Sequence, residues 1–182
     1  IEGLAVHQDS VTGRIFLYTG PSNGGVHLRV YDPSSESWSP RWQWISAPGS
    51  GYEGSQAIGA LAISPDGSLL AVGQGNPSNK ASIAAPSEGV RIGRINADGS
   101  VAWLPISDAA RAALRGQTIR SLRWQGSTLL ASSWNAGAES NGRLLRIDTD
   151  ASGIAAAALI EAPFGVWELA GQGSDSLVAG YT

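Results

Sequence analysis

The sequence predicts an all-β protein, and within that class a β-propeller of four-stranded antiparallel blades, about three and a half of which are present. Two observations support this prediction. A unit of four strands recurs along the 182 residues, and the chain holds 24 glycines and 9 prolines, as many short strands joined by tight turns require. Tandem units bury their faces by stacking on one another, which favours a propeller over the alternative, a β-sandwich.

Each unit begins with a strand in which apolar residues alternate with small or polar ones, the period-2 pattern of a half-buried strand. Four segments share this pattern: 1–6 (IEGLAV), 58–63 (IGALAI), 119–124 (IRSLRW) and 166–170 (VWELA). A polar turn and a more continuously apolar second strand follow each of them, at 15–18, 69–72, 129–131 and 177–179. The turn Ser64-Pro-Asp-Gly67 has the composition of a tight hairpin.

Two further strands complete the unit. A third strand is predicted at 26–31, 90–95 and 143–147, and a fourth, after a second turn, at 38–45, 101–106 and 154–160. The predicted blades of this single domain are 1–57, 58–118 and 119–165, with a half-blade at 166–182. One helix is expected from Ser107 to Gly116, between two blades and as an insertion outside the ring.

Three and a half blades cannot close a ring of the usual four to eight. We therefore expect either that the chain is a fragment, or that its ring is completed by further blades of the same protein, by another copy or by another chain.

Composition excludes several functions and suggests a location. The net charge of −3, with no basic cluster, argues against nucleic acid as a partner. No apolar run is long enough to insert into a membrane. The chain has no Cys and no Met and opens at Ile1. The absence of both sulfur-containing residues is typical of a processed, secreted or surface-located bacterial protein that is exposed to oxidation.

One turn resembles a motif of known propellers. The second blade reads Asn96-Ala-Asp-Gly-Ser-Val-Ala-Trp103, which resembles the Asp-box of sialidase-type and sortilin-like propellers. The start of that blade, 58–67, is similar to the way those repeats begin, and 30–38 (VYDPSSESW) resembles a kelch repeat. The resemblance implies a propeller fold. An Asp-box stabilises a turn, so it implies no particular activity.

The loops that follow the second strands are predicted to carry the binding function, because loops on a rigid scaffold often do so. They leave equivalent places in adjacent blades and so line one face of the ring. The candidate ligand-binding residues combine amides and a carboxylate with Trp, as sugar-binding platforms do: Gln74, Asn76, Asn79, Trp134, Asn135, Glu139 and Trp167. The other Trp residues are mostly predicted to pack between blades: Trp38, Trp42, Trp44, Trp103 and Trp124.

Catalytic and metal sites have weaker support. Glu2, Glu53 and Glu168 are candidate acids for glycosidic chemistry, which needs two carboxyl groups facing one another. Asp148, Asp150 and Ser152 have the opening spacing of a calcium loop, but Leu159 replaces the closing acid, so a plain hairpin turn is preferred and no metal is expected. No cofactor is predicted.

These observations favour a non-enzymatic binding or scaffold propeller that recognises a protein or a carbohydrate through loops on one face. The alternative is part of a sialidase-like or xyloglucanase-like glycoside hydrolase. Whether the protein is an enzyme is left open, with the non-enzymatic interpretation preferred.

Overall fold

The structure is a computed structural model of the chain. It describes residues 3–20, 25–45, 58–74, 89–115, 117–134, 142–150, 152–160, 165–170 and 177–181. In these residues it contains antiparallel sheets joined in chain order. Sheet 1 holds β1 (Gly3–Gln8), β2 (Ile15–Gly20), β3 (Val26–Asp32), β4 (Ser37–Trp38) and β5 (Gln43–Ile45). Sheet 2 holds β6 (Ile58–Ile63), β7 (Leu69–Gln74), β8 (Val90–Ile95) and β9 (Val101–Trp103).

Along the chain, helix α1 (Asp108–Leu114) lies between sheet 2 and sheet 3. Sheet 3 holds β10 (Thr118–Gln125), β11 (Thr128–Trp134), β12 (Gly142–Asp150) and β13 (Gly153–Ile160), and sheet 4 holds β14 (Gly165–Ala170) and β15 (Leu177–Tyr181). Within each sheet the strands pair with their neighbours in sequence, except that β5 pairs with β3, so each sheet is a meander. The predicted all-β class with four-stranded antiparallel blades is confirmed.

The outer strand of sheet 1 is interrupted, whereas the sequence predicted one strand over 38–45. Strand β4 pairs with the end of β3, and β5 pairs with its beginning. Between them, the Ser39 N–H donates to the Val30 carbonyl at 2.7 Å and the Ser39 hydroxyl accepts from the Val30 N–H at 3.2 Å. Pro40, which has no N–H to donate, follows directly. The outer strand therefore bulges while staying attached to β3.

The sheets stack face to face, and sheet 2 is buried on both faces. Leu70 and Val72 on β7 belong to the apolar cluster shared with sheet 1, while Ala71 between them belongs to the cluster shared with sheet 3. All three side chains are fully buried. In a β-sandwich each sheet buries one face only. The stacking of consecutive sheets is instead that of propeller blades.

Glycines near the end of the second strands allow this stacking. A Cβ added to Gly20 would lie 2.4 Å from Ile58 Cγ2, and one added to Gly73 would lie 2.5 Å from Ile119 Cγ2. Both isoleucines sit near the start of the first strand of the next sheet. The same contact thus recurs between sheets 1 and 2 and between sheets 2 and 3. It explains why a glycine stands in each of these apolar strands.

A second contact between sheets involves the turn that resembles an Asp-box. Tyr18 of sheet 1 is fully buried, and its hydroxyl donates to the Gly99 carbonyl at 2.8 Å. Gly99 has a φ of 83°, and a Cβ there would lie 2.6 Å from Phe16. The glycine is therefore required both by the turn and by the neighbouring sheet.

Helix α1 is part of the core, whereas the sequence analysis expected an insertion outside the ring. Ala110 and Leu114 are fully buried in the cluster between sheets 2 and 3. Ser107 caps the helix by accepting from the Ala110 N–H at 3.1 Å, and its hydroxyl donates to the Ala155 carbonyl on β13 at 2.7 Å. The helix therefore joins the outer edges of two sheets.

The glycine contact gives a stability prediction. Replacing Gly73 by Ala places a Cβ against Ile119, and we expect a loss of about 1–3 kcal/mol in the free energy of unfolding, as for other overpacked cores. Urea unfolding followed by Trp fluorescence measures this loss.

Gly126 provides the control, since a Cβ there meets no atom within 4 Å and the φ of +60° is the only obstacle. Gly126→Ala should cost about 1 kcal/mol or less. Equal losses in the two variants would contradict the proposed role of the contact.

Candidate binding groove

Most of the predicted loop-face residues lie outside the described part of the chain. These are Asn76, Asn79, Asn135 and Glu139, together with the candidate acids Glu2 and Glu53. Trp134 is placed as the last residue of β11, and Trp167 and Glu168 lie within β14. For these three only the strand position is described. Their proposed roles in binding or catalysis remain predictions.

Gln74 is the one loop-face candidate whose side chain is described. It ends β7, is fully buried, and its backbone N–H donates to the Gly89 carbonyl at 2.7 Å. Neither side-chain amide atom has a hydrogen-bond partner among the described residues. An unpaired buried amide costs free energy. Gln74 is therefore the candidate of this face whose amide keeps unused hydrogen-bonding capacity among the described residues.

The residue of sheet 3 that corresponds to Gln74 is Ser133, and not Trp134, which ends the equivalent strand. Gln74 lies opposite Ile58, and Ser133 lies opposite the equivalent Ile119. Ser133 is buried, and its hydroxyl donates to Gln117 Oε1 at 2.9 Å. Among the described residues, this polar position has a hydrogen-bond partner in sheet 3 and none in sheet 2.

The turn with calcium-like spacing is a hairpin between β12 and β13. Asp150 Oδ1 accepts from the Ser152 N–H at 2.7 Å and from the Gly153 N–H at 3.1 Å. Asp148 Oδ1 accepts from Arg146 Nε at 3.0 Å and, at 3.3 Å, from the Thr128 hydroxyl. Both carboxylates are engaged within sheet 3. In the described ranges, no three His, Cys, Asp or Glu side chains are grouped to hold a metal ion.

A groove of about 640 Å³ opens between sheets 2 and 3, at the edge where the first and third strands end in turns. Its size is typical of small-molecule sites. Sheet 2 contributes the β6–β7 turn and Arg94, and sheet 3 contributes Trp124 and the two turns beside it. The groove is lined by Ser64, Pro65, Asp66, Ser68, Leu69, Arg94, Trp124, Gly126, Ser127, Thr149 and Asp150. It lies at the edge opposite the loops that the sequence favoured.

Trp124 forms a fixed apolar part of this groove. Only 6% of the residue is exposed, and its Nε1 donates to the Ala62 carbonyl of β6 at 3.3 Å. The ring is thus held between the two sheets, and its burial between blades agrees with the sequence prediction. Trp38 and Trp42, at 41% and 43% exposure, are not buried, contrary to that prediction.

Turn hydrogen bonds hold the polar wall of the groove. Asp66 accepts from the hydroxyls of Ser64 at 2.5 Å and Ser68 at 2.7 Å, and these bonds lower the pKa of its carboxyl group. In the same way, the hydroxyl and N–H of Ser152 lower the pKa of Asp150. Across the groove, the Thr149 hydroxyl donates to the Ser127 carbonyl at 2.7 Å. The carboxyl groups of Asp66 and Asp150 are therefore ionised at neutral pH, and their hydrogen bonds make the two turns locally rigid.

A smaller groove of about 330 Å³ lies on the same side between sheets 1 and 2. His7, Asp9 and Asn96 line it, together with the β6–β7 turn that also borders the larger groove. The His7 ring stacks on Phe16 with centroids 6.1 Å apart. Sequence analysis missed both grooves because their residues come from turns of different sheets. The only available signal was the recurrence of Asp-x-Ser in these turns.

Comparison with solved structures agrees with this architecture. An α-L-arabinofuranosidase from Clostridium thermocellum matches 99% of this chain at 11% identity with a TM-score of 0.51. A glycoside hydrolase family 43 arabinoxylan arabinofuranohydrolase from Bacillus subtilis, in complex with cellotetraose, matches 98% at 17% identity and a TM-score of 0.48. Hydrazine synthase of Kuenenia stuttgartiensis matches 83% at 13% identity and a TM-score of 0.47.

The similarity to the α-L-arabinofuranosidase is a similarity of fold, and that fold is a β-propeller. The chain spans 60%, 35% and 40% of the lengths of these three proteins, in the same order. No protein-family model and no curated protein sequence matches the chain. Within the described residues no helix is long and apolar enough to cross a membrane.

The aspartate turns predict acid sensitivity. Hydrogen bonds, chiefly from Ser64 and Ser68 to Asp66 and from Ser100 to Asp98, lower both carboxyl pKa values below the ordinary 3.8. A folded-state pKa below the unfolded one contributes stability that is present above pH 3.8 and is lost as the pH falls through the folded pKa.

We therefore expect the double variant Asp66→Asn/Asp98→Asn to lose less stability than the parent chain on acidification below that pH. The measurement is the urea midpoint of both proteins across the acid range. If the urea midpoints of the two proteins fall equally as the pH is lowered, the assignment of acid sensitivity to Asp66 and Asp98 is contradicted.

Proposed function

We propose that this chain is part of a non-enzymatic β-propeller that binds a carbohydrate through the groove between sheets 2 and 3. The observation that carries the proposal is the composition of that groove. Pro65, Leu69 and the small exposed part of Trp124 offer apolar surface, while hydroxyls, two carboxylates and Arg94 border it. Sugars present apolar ring faces and hydroxyl edges, and such a mixture can contact both.

The state of the acids favours binding over hydrolysis. Glycosidic cleavage requires one carboxyl group with a raised pKa to act as an acid. The aspartates with shifted pKa values in the described residues, Asp9, Asp32, Asp66, Asp98 and Asp150, are all lowered by turn hydrogen bonds. Asp66 and Asp150 in the groove are therefore acceptors for ligand hydroxyls and not proton donors.

A location outside the cell or at its surface fits this function. The chain contains no Cys and no Met, so it offers no sulfur to oxidants. Bacterial polysaccharides and glycoproteins are accessible there. We therefore propose that the protein is secreted or surface-located in a bacterium.

Blocking the groove tests the proposal. Ser127 is exposed on the rim of the groove, and Ser127→Trp should fill part of it without disturbing the core. We expect the glycan that binds best in a panel to bind about tenfold more weakly or worse, a loss of about 1.4 kcal/mol. Calorimetry measures the affinity.

The control is Ser35→Trp, the same change at an exposed turn residue of sheet 1 remote from the groove. It should leave binding unchanged. Equal affinities for the two variants would remove the groove from consideration. If the chain binds no glycan but binds a protein, and Ser127→Trp weakens that binding, the groove would be assigned to a protein partner instead.

A second candidate, part of a glycoside hydrolase, is favoured by the fold similarity to the α-L-arabinofuranosidase from Clostridium thermocellum. Glu168 on β14 is the candidate acid placed in the structure. If the leading proposal is right, the chain should not turn over aryl arabinofuranosides or other aryl glycosides. Turnover that Glu168→Gln abolishes, and that Glu36→Gln at an exposed turn leaves intact, would establish the second candidate. The same assay with Glu2→Gln and Glu53→Gln covers the other two acids.

A further inference from the structure

Two grooves open at the same edge of the stacked sheets, one on each side of sheet 2. The large groove, of about 640 Å³, lies between sheets 2 and 3, and the small groove, of about 330 Å³, lies between sheets 1 and 2. In both grooves the first turn of one sheet faces the turns of the next sheet. The small groove therefore repeats the position of the large groove one blade earlier.

The turn between β6 and β7 is a wall that the two grooves share. Asp66 and Ser68 line both of them. The Ser68 hydroxyl donates to Asp66 Oδ2 at 2.7 Å, and the Ser68 N–H donates to Asp66 Oδ1 at 3.1 Å. These bonds hold the carboxylate within the turn, where it borders both grooves at once. A single turn therefore separates the two grooves.

Each groove also contains an aromatic ring that is held between two sheets. In the large groove this ring is Trp124, whose Nε1 donates to the Ala62 carbonyl of sheet 2. In the small groove it is His7 of sheet 1, which stacks on Phe16 with centroids 6.1 Å apart. The His7 ring reaches the β6–β7 turn, since a Cβ added to Gly67 would lie 2.2 Å from His7 Cε1. The two grooves thus present the same combination of a fixed ring and polar turns.

The charge of the combined surface favours an uncharged ligand. Asp66 borders both grooves, Asp9 borders the small one and Asp150 the large one. Turn hydrogen bonds lower the pKa of all three carboxyl groups, so all three are ionised at neutral pH. Among the described lining residues, Arg94 is the one lysine or arginine. Carboxylates accept hydrogen bonds from sugar hydroxyls, whereas they repel the carboxylates of an acidic sugar chain.

We propose that the ligand of this edge is an extended, uncharged chain of linked sugars that crosses the β6–β7 turn and occupies both grooves. The inference rests on the proposed function and adds the size and charge of the carbohydrate. Stacked sheets lie about 10 Å apart, so a chain of linked sugars reaches from one groove to the next, whereas a single sugar does not. Binding in the second groove is then intramolecular, and it strengthens the whole interaction without a tight contact in either groove.

The test is calorimetric titration with cello-, xylo- and arabino-oligosaccharides of increasing length, beginning with the disaccharides. Oligogalacturonate is the charged comparison. For the series that binds best, we expect the affinity to rise about tenfold or more once the chain is long enough to span both grooves. Oligogalacturonate should bind more weakly than uncharged chains of the same length.

Ser10→Trp distinguishes the two grooves. Ser10 is exposed on the rim of the small groove, so the larger side chain should fill that groove. We expect this variant to lose the gain in affinity with length and to bind the shortest oligosaccharide like the parent, whereas Ser127→Trp should weaken binding at every length. Ser35→Trp, at an exposed turn residue that lines neither groove, is the matched control. Should Ser10→Trp fold poorly, Ala97→Trp fills the small groove from its sheet 2 side.

Two results would overturn this inference and leave the proposed function intact. One is an affinity that does not depend on chain length but is still weakened by Ser127→Trp. The other is a gain with length that survives both Ser10→Trp and Ala97→Trp, as for a long chain that binds one groove in several registers. Tighter binding of oligogalacturonate would contradict the uncharged ligand. A chain that binds no glycan, or whose binding Ser127→Trp does not weaken, would overturn the proposed function and this inference with it.

Discussion

The contact on which the structure depends is the packing of the first strand of each sheet onto the second strand of the sheet before it. Ile58 lies over Gly20, and Ile119 lies over Gly73 in the same way. A meander of four short strands has two apolar faces and cannot bury either one alone. Stacking therefore determines which residues are small and where the grooves open.

The sequence predicted the fold because stacking imposes a repeat, and a repeat is visible without knowing the contacts. Finer features were not visible. The turn between the first two strands is shorter in sheet 3 than in sheet 2, so Leu129 pairs with Trp124 as Leu70 pairs with Ile63, and Ser133 and not Trp134 corresponds to Gln74. The exposure of Trp38 and Trp42 depends on whether a sheet lies beside them. The grooves combine turns about sixty residues apart, and no local pattern reports such a pairing.

The turns of this protein use their acidic side chains to hold backbone. Asp32, Asp66, Asp98 and Asp150 each accept from the N–H of the serine two residues later. A carboxylate engaged in this way has little freedom to transfer a proton, but it retains lone pairs for further donors. A groove bordered by such turns is preformed, so little conformational entropy is lost when it is occupied.

The hydrogen bond from Tyr18 to Gly99 joins residues 81 positions apart, whereas each hairpin closes within a few residues. On the ribosome, at about 5–20 residues per second, the partner of Tyr18 emerges roughly 4–16 s after it. Until β6 and β7 follow, sheet 1 can pair its own strands but lacks the neighbouring sheet that helps to bury Phe16, Tyr18 and Leu28 in the finished protein. The order of synthesis therefore gives the nascent chain a period in which its first sheet is open to aggregation or to a chaperone.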